Sequence, residues 1–297
     1  MKQAFLICAY NFPEYLERLI GSLDSERSNI YVHIDRKHES EFADTVRKYR
    51  DVGNVHFFSV SRNNYGGIGI VRSIAFLLGE SLKCSDNGYF HVISGQDLLV
   101  RPLDELLDFF EAGREKNHLN FFELPYSKWT GNGGLDRFNY YYLNDILNCH
   151  DSRKLNYCLG RLFFKVQKFL GIRRKGLPFD KLYGGSAWFS VNRDAAALLD
   201  VFFSIEENWA CIRHTYIPDE FIFHSVLCNS PLASTLVNDT YRYIDWTSLK
   251  ISHPKTLQVE DFEKIVASGS FFARKIEPGK SRELIAKVER MNTNRRS

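Results

Sequence analysis

The sequence predicts an α/β fold with a central, mostly parallel sheet. In its first half, short apolar runs rich in β-branched and aromatic residues alternate with segments whose apolar side chains recur at helical spacing. Strands that alternate with helices form parallel sheets with right-handed crossovers. No repeat and no linker-like stretch interrupts the chain, so we expect residues 1–297 to form a single domain.

Four apolar runs in the first half have the length of strands: residues 5–10, 30–34, 55–60 and 89–93. The intervening segments are predicted to be helical. The first helix is expected to begin at Asn11 and Pro13, because proline is favoured in the first turn of a helix. Two further helices are expected across residues 42–49 and 70–78.

The second half of the chain is less regular. Residues 118–124 have the composition of a strand that ends at Glu123, and residues 126–148, rich in glycine, asparagine and tyrosine, predict a long ordered loop. A strand is expected at 186–191, and a helix at 220–227 would carry Glu220 in its first turn. Two more helices are predicted, at 260–267 and 281–289.

Composition limits the classes of function. Aromatic residues make up 14% of the chain, which is explained either by a phenylalanine-rich core or by a surface that stacks on sugar rings or bases, and composition favours the core. The net charge of +3 is too small for the basic face that nucleic-acid binding requires. We therefore expect no nucleic-acid partner.

The six cysteines are scattered, without the Cys-x-x-Cys or Cys/His spacing of a zinc site. Cys8, Cys84 and Cys228 lie in or beside apolar runs, as reduced core thiols do. Neither a secretory signal nor a stretch of 18 apolar residues is present. These features predict a cytoplasmic protein.

Polar residues follow the predicted strands at the edge where open α/β sheets bind their ligands. They are Asn11, Asp35, Asn63, Ser94 and Asp97. A carboxylate in the position of Asp35 accepts hydrogen bonds from a ribose or a base in nucleotide-binding sheets, although a helix cap or a turn explains it equally well.

Residues 93–97 (Ile-Ser-Gly-Gln-Asp) are more specific, because an apolar strand there runs into small and polar residues before a helix begins at Pro102. Asp97 is therefore a candidate for a binding site, with a helix cap as the alternative. A glycine cluster that includes Gly67 either turns the chain into a helix or lets a ligand approach the backbone closely.

Pro218-Asp219-Glu220 contains the carboxylate pair that ranks first as a catalytic candidate. A general base needs a carboxylate fixed within reach of a hydroxyl, but acidic residues also favour helix N-termini because of the helix dipole. Arg242, Arg274 and Lys275 are cations beside apolar residues, suited to a diphosphate or to a solvated face. No G-x-G-x-x-G after the first strand, P-loop or Asp-x-Asp triplet occurs.

In their order along the chain, these segments resemble glycosyltransferase family 14, which contains the core-2/I-branching β-1,6-N-acetylglucosaminyltransferases and the peptide O-xylosyltransferases. The segments that carry the resemblance are Val32-His33-Ile34-Asp35, Ile93-Ser94-Gly95-Gln96-Asp97, Gly185-Ser186-Ala187-Trp188-Phe189, Pro218-Asp219-Glu220, Arg242-Tyr243-Ile244-Asp245-Trp246 and Phe272-Ala273-Arg274-Lys275. They suggest a bacterial member without the stem and membrane anchor of the animal enzymes. The resemblance implies a GT-A type, Rossmann-like fold with a nucleotide-binding half at about 1–115 and an acceptor and catalytic half at about 116–297.

The resemblance also implies roles for individual residues. Glu220 matches the catalytic base of the family, and Arg242 and Lys275 match the cations that hold the UDP diphosphate in place of a metal. Asp35 matches the uridine-binding aspartate, and Glu123 matches the carboxylate that grips the acceptor sugar. The same segments and strand ends give further candidates, which are Arg274, Asn11, Gly67 and Ser94 for donor binding and Asp97 and Trp188 for acceptor binding.

The implied reaction is an inverting, metal-independent transfer from UDP-xylose or UDP-N-acetylglucosamine to a hydroxyl of a glycan or lipid-linked glycan, with no cofactor. The segments at 242–246 and 272–275 lean toward the xylosyltransferases, whereas the loop at 127–132 aligns clearly with neither subfamily. The alternative is a non-catalytic nucleotide-sugar or glycan-binding protein of the same fold.

A basic, amphipathic stretch at residues 153–175 has two interpretations. It would lie on the inner face of an anionic membrane, which suits a lipid-linked acceptor, or it would be a core-packing helix with a solvated basic face.

Overall fold

The computed structural model describes residues 1–149, 155–175, 177–247 and 254–296. Within these residues the strands are β1 (Lys2–Ala9), β2 (Ser28–Ile34), β3 (Val55–Phe58), β4 (Asn87–Ser94), β5 (Leu98–Leu99), β6 (Asn117–His118), β7 (Phe121–Glu123), β8 (Tyr183–Gly185), β9 (Ser190–Asn192), β10 (Leu236–Val237), β11 (Arg242–Ile244) and β12 (Phe272–Arg274). The helices are α1 (Pro13–Leu23), α2 (Ala43–Lys48), α3 (Gly69–Leu82), α4 (Leu103–Ala112), α5 (Thr130–Gly133), α6 (Asp136–Asn139), α7 (Leu155–Leu170), α8 (Arg193–Ser204), α9 (Glu206–Ile212), α10 (Ile222–Cys228), α11 (Phe262–Ala267) and α12 (Pro278–Arg296).

The central sheet of the described residues has seven strands in the order β10-β6-β9-β4-β1-β2-β3. Strands β3, β2, β1 and β4 are parallel, and β9 runs antiparallel between β4 and β6. A three-stranded sheet, β11-β12-β5, and the two-stranded ribbon β7-β8 complete the strand pairing. The predicted α/β class and mostly parallel central sheet are confirmed.

Strand β1 is buried in the middle of the central sheet. From Ala4 to Ala9 every residue of the strand is buried, as expected for a parallel strand covered by helices on both faces. Phe12 adopts a left-handed conformation (φ 56°), and Pro13 then starts α1 because its fixed φ already suits a helix. This turn places residues 10–12 at the carboxyl end of the sheet.

Two apolar layers cover the sheet. One contains buried residues of α3, α8 and α10, and the other contains buried residues of α1 and α4. Phe5, Phe90, Phe189 and Phe223 are fully buried, so the phenylalanine content is explained in large part by the core. Full burial of such a side chain contributes about 1.5–3 kcal/mol to folding.

Three predicted elements of the second half are different in the structure. The strand expected at 118–124 is two strands, β6 and β7, which belong to different sheets, and of the strand expected at 186–191 only residues 190 and 191 are in a strand, β9. Glu220 lies in a 3₁₀ turn, Pro218–Glu220, and α10 begins only at Ile222. Phe221 separates the two elements because its backbone is not helical (φ −141°).

The loop expected at 126–148 contains short turns of helix, and Gly131 and Asn132 both have positive φ inside α5. In the predicted basic stretch, residues 155–170 form α7, whereas Arg153 and Lys154 lie outside the described residues. No helix in the described parts of the chain is long and apolar enough to cross a membrane. Each of the six cysteines is a free thiol.

Candidate active site

Asp97 lies at the carboxyl end of β4 and is completely buried. The backbone N–H of Ser94 donates a 3.1 Å hydrogen bond to its Oδ2. Burial raises the pKa of Asp97, and the Arg274 guanidinium opposes this shift. The helix-cap alternative for Asp97 is wrong, because β5 follows it and α4 has Pro102 at its N-cap with no side-chain cap.

Arg274 is the last residue of β12 and is only 9% exposed. Its Nε lies 3.6 Å from Asp97 Oδ1, and its guanidinium carbon lies 4.3 Å from the centre of the Trp188 ring. Its Nη1 is buried and has no hydrogen-bond partner among the described residues. A buried guanidinium N–H without an acceptor is costly, so Arg274 has the capacity to bind an anionic ligand.

Gln96 connects the Asp97 turn to the segment that follows β12. The Gln96 Nε2 donates to the Ile276 carbonyl (2.9 Å), and the Ile276 N–H donates to the Gln96 carbonyl (3.0 Å). The Tyr10 hydroxyl, just beyond β1, donates to Gln96 Oε1 (2.8 Å). These bonds hold the ends of β1 and β4 against Arg274 and Lys275.

Lys275 is partly buried, and its side chain has no hydrogen bond or ion pair with any other described residue. Arg274 and Lys275 therefore form a cationic pair in which at least one donor of each side chain lacks an acceptor in the described protein. Such a pair suits a phosphate group.

Arg242 is in a different environment. Its Nη2 lies 3.1 Å from the carbonyls of Val92 and Phe189 and from the hydroxyl of Ser190, and its Nη1 donates to the Thr240 carbonyl (2.6 Å). Burial lowers the pKa of Arg242 to about 10. These four contacts favour a role in holding β4 and β9 together, and they leave the buried Nε of Arg242 without a hydrogen-bond partner among the described residues. The diphosphate-binding role that the resemblance implies stays a prediction for Arg242.

Glu220 forms an ion pair with Arg137, whose Nη1 lies 2.6 Å from Glu220 Oε2. The Arg137 guanidinium in turn stacks on the Trp129 ring at 3.7 Å. The Arg137 side chain is 16% exposed and that of Glu220 is 31% exposed, so the carboxylate is fixed yet open to solvent. A carboxylate that is held in place and open to solvent can be reached by the hydroxyl that a general base deprotonates, so Glu220 stays a candidate for that role.

Asp219 faces the sheet beside Glu220. Burial and the Glu220 carboxylate raise the pKa of Asp219 to about 7. Burial, together with the carboxylates of Asp219 and Asp97, raises the pKa of the Cys8 thiol to about 12, which indicates that both carboxylates lie close to the end of β1. The structure thus brings the Asp219–Glu220 turn and the Asp97–Arg274 pair to the same edge of the sheet.

Replacing Asp219 by asparagine should change how stability depends on pH. Because the folded state raises the pKa of Asp219 above its ordinary value, ionisation destabilises the fold as pH rises from about 4 to about 7. We expect the free energy of unfolding of Asp219→Asn, relative to the wild type, to increase by roughly 1–2 kcal/mol between pH 5 and pH 8, since solvent screens a partly buried carboxylate. Denaturation of both proteins at each pH measures this, and a difference that is constant with pH would contradict it.

Two other donor-site candidates lie at the strand ends. Asp35 is buried and next to the end of β1, since its N–H donates to the Ala9 carbonyl (2.9 Å). It accepts hydrogen bonds from the N–H of Lys37 (3.0 Å) and Asn63 (3.3 Å), so it stabilises a turn as well as lying at the site edge. Asn11 is partly exposed just after β1.

Ser94 is buried, and its Oγ accepts a hydrogen bond from the Gln96 N–H (3.2 Å), so it shapes the Asp97 turn. Gly67 is needed for contact with the protein itself, because a Cβ there would lie 2.8 Å from the Asn144 carbonyl oxygen. The carbonyl of neighbouring Gly66 accepts from the Ile217 N–H (2.9 Å), so the glycine turn supports the segment that carries Glu220. The turn interpretation of the cluster is favoured over direct contact with a ligand.

Glu123 ends β7 with an exposed side chain that pairs with Lys181 at 3.1 Å. The adjacent Phe122 packs edge-on against Trp129 at 4.9 Å, and Trp129 stacks on Arg137. The β7–β8 ribbon is therefore connected to Glu220 through two ring contacts and one ion pair. Trp188, by contrast, is on the Arg274 side of the site.

Sequence reasoning did not identify Arg137, Gln96 or Tyr10 as parts of the site. Arg137 lies in a stretch predicted to be a loop and belongs to no motif, so its sequence context carried no signal. Gln96 belongs to a recognised segment, but its contact with Ile276 spans 180 residues. No group of three or more His, Cys, Asp or Glu side chains suited to holding a metal ion occurs among residues 1–149, 155–175, 177–247 and 254–296.

The structure is that of an α/β protein in which carboxylates and cations meet at the carboxyl ends of parallel strands, where a candidate ligand site lies. The sequence profile of the Core-2/I-branching enzymes matches residues 3–266. The chain therefore belongs to the Core-2/I-branching enzyme family.

Several curated proteins are similar to this chain. Xylosyltransferase 1 of Canis lupus familiaris is 24% identical over 298 residues, which covers 92% of this chain and 29% of that protein. Xylosyltransferase 2 of the same species is 24% identical over 294 residues, covering 91% of this chain and 31% of that protein. The chain thus spans about three-tenths of the length of these xylosyltransferases. Among solved structures, 4-diphosphocytidyl-2C-methyl-D-erythritol synthase from Anaerococcus prevotii shares 14% identity at a TM-score of 0.32, covering 69% of this chain and 77% of that chain.

Proposed function

We propose that the chain is an inverting, metal-independent glycosyltransferase. It transfers xylose or N-acetylglucosamine from a UDP-sugar to a hydroxyl of a glycan or lipid-linked glycan and forms a β linkage. The observation that carries this proposal is the buried Arg274 guanidinium, whose Nη1 has no acceptor among the described residues, beside Lys275 and at the same sheet edge as Glu220.

The donor side of the proposal rests on charge. A nucleoside diphosphate that leaves a sugar must have its developing charge neutralised by a metal ion or by fixed cations. The backbone that carries Arg274 and Lys275 is fixed by its neighbours, since β12 pairs with β5 and Gln96 bonds to Ile276 through both its side chain and its carbonyl. Asp35 and Asn11, at the ends of the adjacent strands, are the residues proposed to bind the uridine.

The acceptor side of the proposal rests on Glu220. Its carboxylate removes the proton of the acceptor hydroxyl as that oxygen attacks C1 of the donor sugar. The bond between C1 and the β-phosphate oxygen breaks on the opposite face, and UDP leaves with the electron pair. Arg137 orients Glu220 during this step, and the β7–β8 ribbon with Glu123 is the surface proposed to hold the acceptor sugar.

The identity of the donor is proposed from the relatives and tested by binding. The similar curated proteins are xylosyltransferases, which favours UDP-xylose, whereas the resemblance to the core-2/I-branching β-1,6-N-acetylglucosaminyltransferases implies UDP-N-acetylglucosamine. A thermal-shift series with both nucleotide sugars, UDP and UDP-glucose would rank them. A ligand that binds at concentration [L] far above its Kd raises stability by RT ln(1 + [L]/Kd), about 2.7 kcal/mol at 100 Kd.

Activity in a chelator tests the metal-independent mechanism. Because Arg274 and Lys275 supply the positive charge, we expect the rate of UDP release to be the same, within about twofold, in EDTA and in Mn²⁺. Coupled detection of UDP measures this rate with each donor. Loss of turnover in EDTA with recovery on adding Mn²⁺ would contradict the proposed role of the two cations.

The alternative function, binding without turnover, gives a different result in the same assays. A nucleotide-sugar-binding protein would show the thermal shift but would release no UDP with any acceptor. The fixed and accessible Glu220 favours the enzyme, because binding a sugar nucleotide does not by itself require a carboxylate oriented by Arg137 and Trp129.

A further inference from the structure

Helix α7 exposes its apolar residues. Of the residues in this helix only Gln167 is buried. Exposed apolar residues lie together on the side of the helix that faces solvent. This apolar face consists of Leu155, Cys158, Leu159, Leu162, Phe163, Val166, Phe169 and Leu170. Phe169 is 89% exposed and Leu155 is 73% exposed. The interpretation of residues 155–170 as a core-packing helix is therefore wrong.

The opposite side of α7 is fixed to the protein. Gln167 makes two hydrogen bonds to the backbone of Tyr141, one accepted from its N–H (2.8 Å) and one donated to its carbonyl (2.9 Å). Phe164 packs against Tyr140 and Tyr142, with ring centres 5.1 and 5.5 Å apart. The apolar face is thus presented outward by a helix whose orientation is set.

Cations border this apolar face, and residues 155–175 contain no acidic residue. Arg161, Lys165 and Lys168 lie along one side of the helix, and Arg173 and Lys175 follow it, all of them exposed. Of these, Lys168 pairs with Asp136 at 2.8 Å. The nearby Arg174 differs, because it donates to the carbonyls of Phe138, Cys211 and Arg213 and so holds this segment on the protein.

We propose that α7 is an interfacial helix that binds an anionic lipid surface, with its apolar face in the acyl boundary and its cations against the headgroups. Exposed apolar residues bordered by Lys and Arg are the pattern of helices that lie in the plane of a membrane. The charge of the helix favours a lipid surface over a second copy of the chain as the partner. A two-fold contact through this face would bring the cations of the two copies together, and like charges repel.

The position of α7 bears on the acceptor. Lys168 pairs with Asp136, and the next residue, Arg137, pairs with Glu220. If α7 lies on the bilayer, Glu220 lies close to the membrane surface. The inference about the substrate rests on the proposed function: the acceptor is a glycan carried by a lipid of the same membrane.

Co-sedimentation of the full chain with vesicles tests the inference. We expect binding to vesicles of phosphatidylcholine with 30% phosphatidylglycerol, little binding to phosphatidylcholine alone, and at least about a fivefold loss of binding in 0.5 M NaCl. The double variant Leu162→Asp/Phe169→Asp should lower binding at least about tenfold, since it places two carboxylates in the apolar face. Both side chains are mostly exposed, so its melting temperature should match that of the wild type.

A matched control makes the same chemical change on other helices. Val201→Asp/Ile205→Asp replaces two exposed apolar residues at α8 and its junction with α9, and vesicle binding should be unchanged. Equal binding by both double variants, or no binding by the wild type, would overturn the inference. So would a dimeric wild type that Leu162→Asp/Phe169→Asp makes monomeric, since the face would then belong to a second copy.

UDP release with a soluble acceptor separates this inference from the proposed function. Normal release by Leu162→Asp/Phe169→Asp together with lost vesicle binding supports an interfacial helix on an active enzyme. Vesicle binding by a wild type that releases no UDP would overturn the proposed function and leave the lipid-binding helix standing.

Discussion

Replacing Glu220 by glutamine should lower the rate of UDP release about 10³-fold, within the 10²–10⁴-fold that general-base catalysis contributes. Glutamine keeps the size of the side chain and an oxygen that accepts from Arg137 Nη1, so the 3₁₀ turn should keep its geometry. The amide cannot take a proton from the acceptor hydroxyl. Steady-state kinetics with the preferred donor measures the loss, and UDP affinity, measured by calorimetry, should be unchanged.

Two comparisons make this expectation specific. Glu207→Gln, on α9, makes the same chemical change at an exposed carboxylate and should leave the rate as it is. Arg137→Lys should leave UDP affinity unchanged and reduce kcat, because Lys cannot both pair with Glu220 and stack on Trp129 in the same way. If Glu220→Gln kept near-wild-type turnover, the base would have to be another group, with Asp219 the first to examine.

The second large effect is expected from the cations at the end of β12. Arg274→Lys keeps a positive charge near Asp97 but removes the Nη1 that lacks an acceptor in the described protein. Lys275→Met removes the positive charge of the next residue. Each should lower kcat about 10²–10³-fold, since each removes a preorganised contact to the leaving group. Each should also weaken UDP binding, in contrast to Glu220→Gln.

Arg242→Lys is the informative comparison for this pair. The Arg242 guanidinium contacts four acceptors of the sheet and its border, and lysine cannot reach all of them at once. We expect a lower melting temperature and an unchanged Kd for UDP. If Arg242→Lys instead weakened UDP binding at an unchanged melting temperature, Arg242 would be the residue that binds the diphosphate. If Arg274→Lys had wild-type kinetics, Arg274 would not take part in donor binding.

The proposed roles also give expectations for the metal dependence of the reaction and for the pH dependence of stability. Glu220→Gln and the cation variants should be equally indifferent to EDTA, because none of the proposed steps involves a metal. The effect of Asp219→Asn on stability grows as pH rises, since it removes a carboxylate whose pKa the fold raises to about 7.

The alternation of strand and helix signals was sufficient for the first half of the fold. β1, β2, β3, β4, α1 and α3 all lie where the periodicity of their apolar residues predicts, because each is a long or continuous apolar segment whose burial dominates its local preference. The second half was predicted less well. Residues 118–124 have the composition of one strand, but the chain leaves the central sheet after His118, and no local feature of the sequence marks where that pairing ends.

The sequence by itself determined the α/β class, the strand-end positions of Asp35 and Asp97, and, through the order of six short segments, the family. Only the tertiary structure decided which carbonyls bind the Arg242 guanidinium, which residue pairs with Glu220, and which side of α7 meets solvent. The physical reason is that these properties depend on contacts between residues far apart in the chain. Arg242 and Arg274 are the same residue type in similar aromatic contexts, and only the acceptors folded around each one differ.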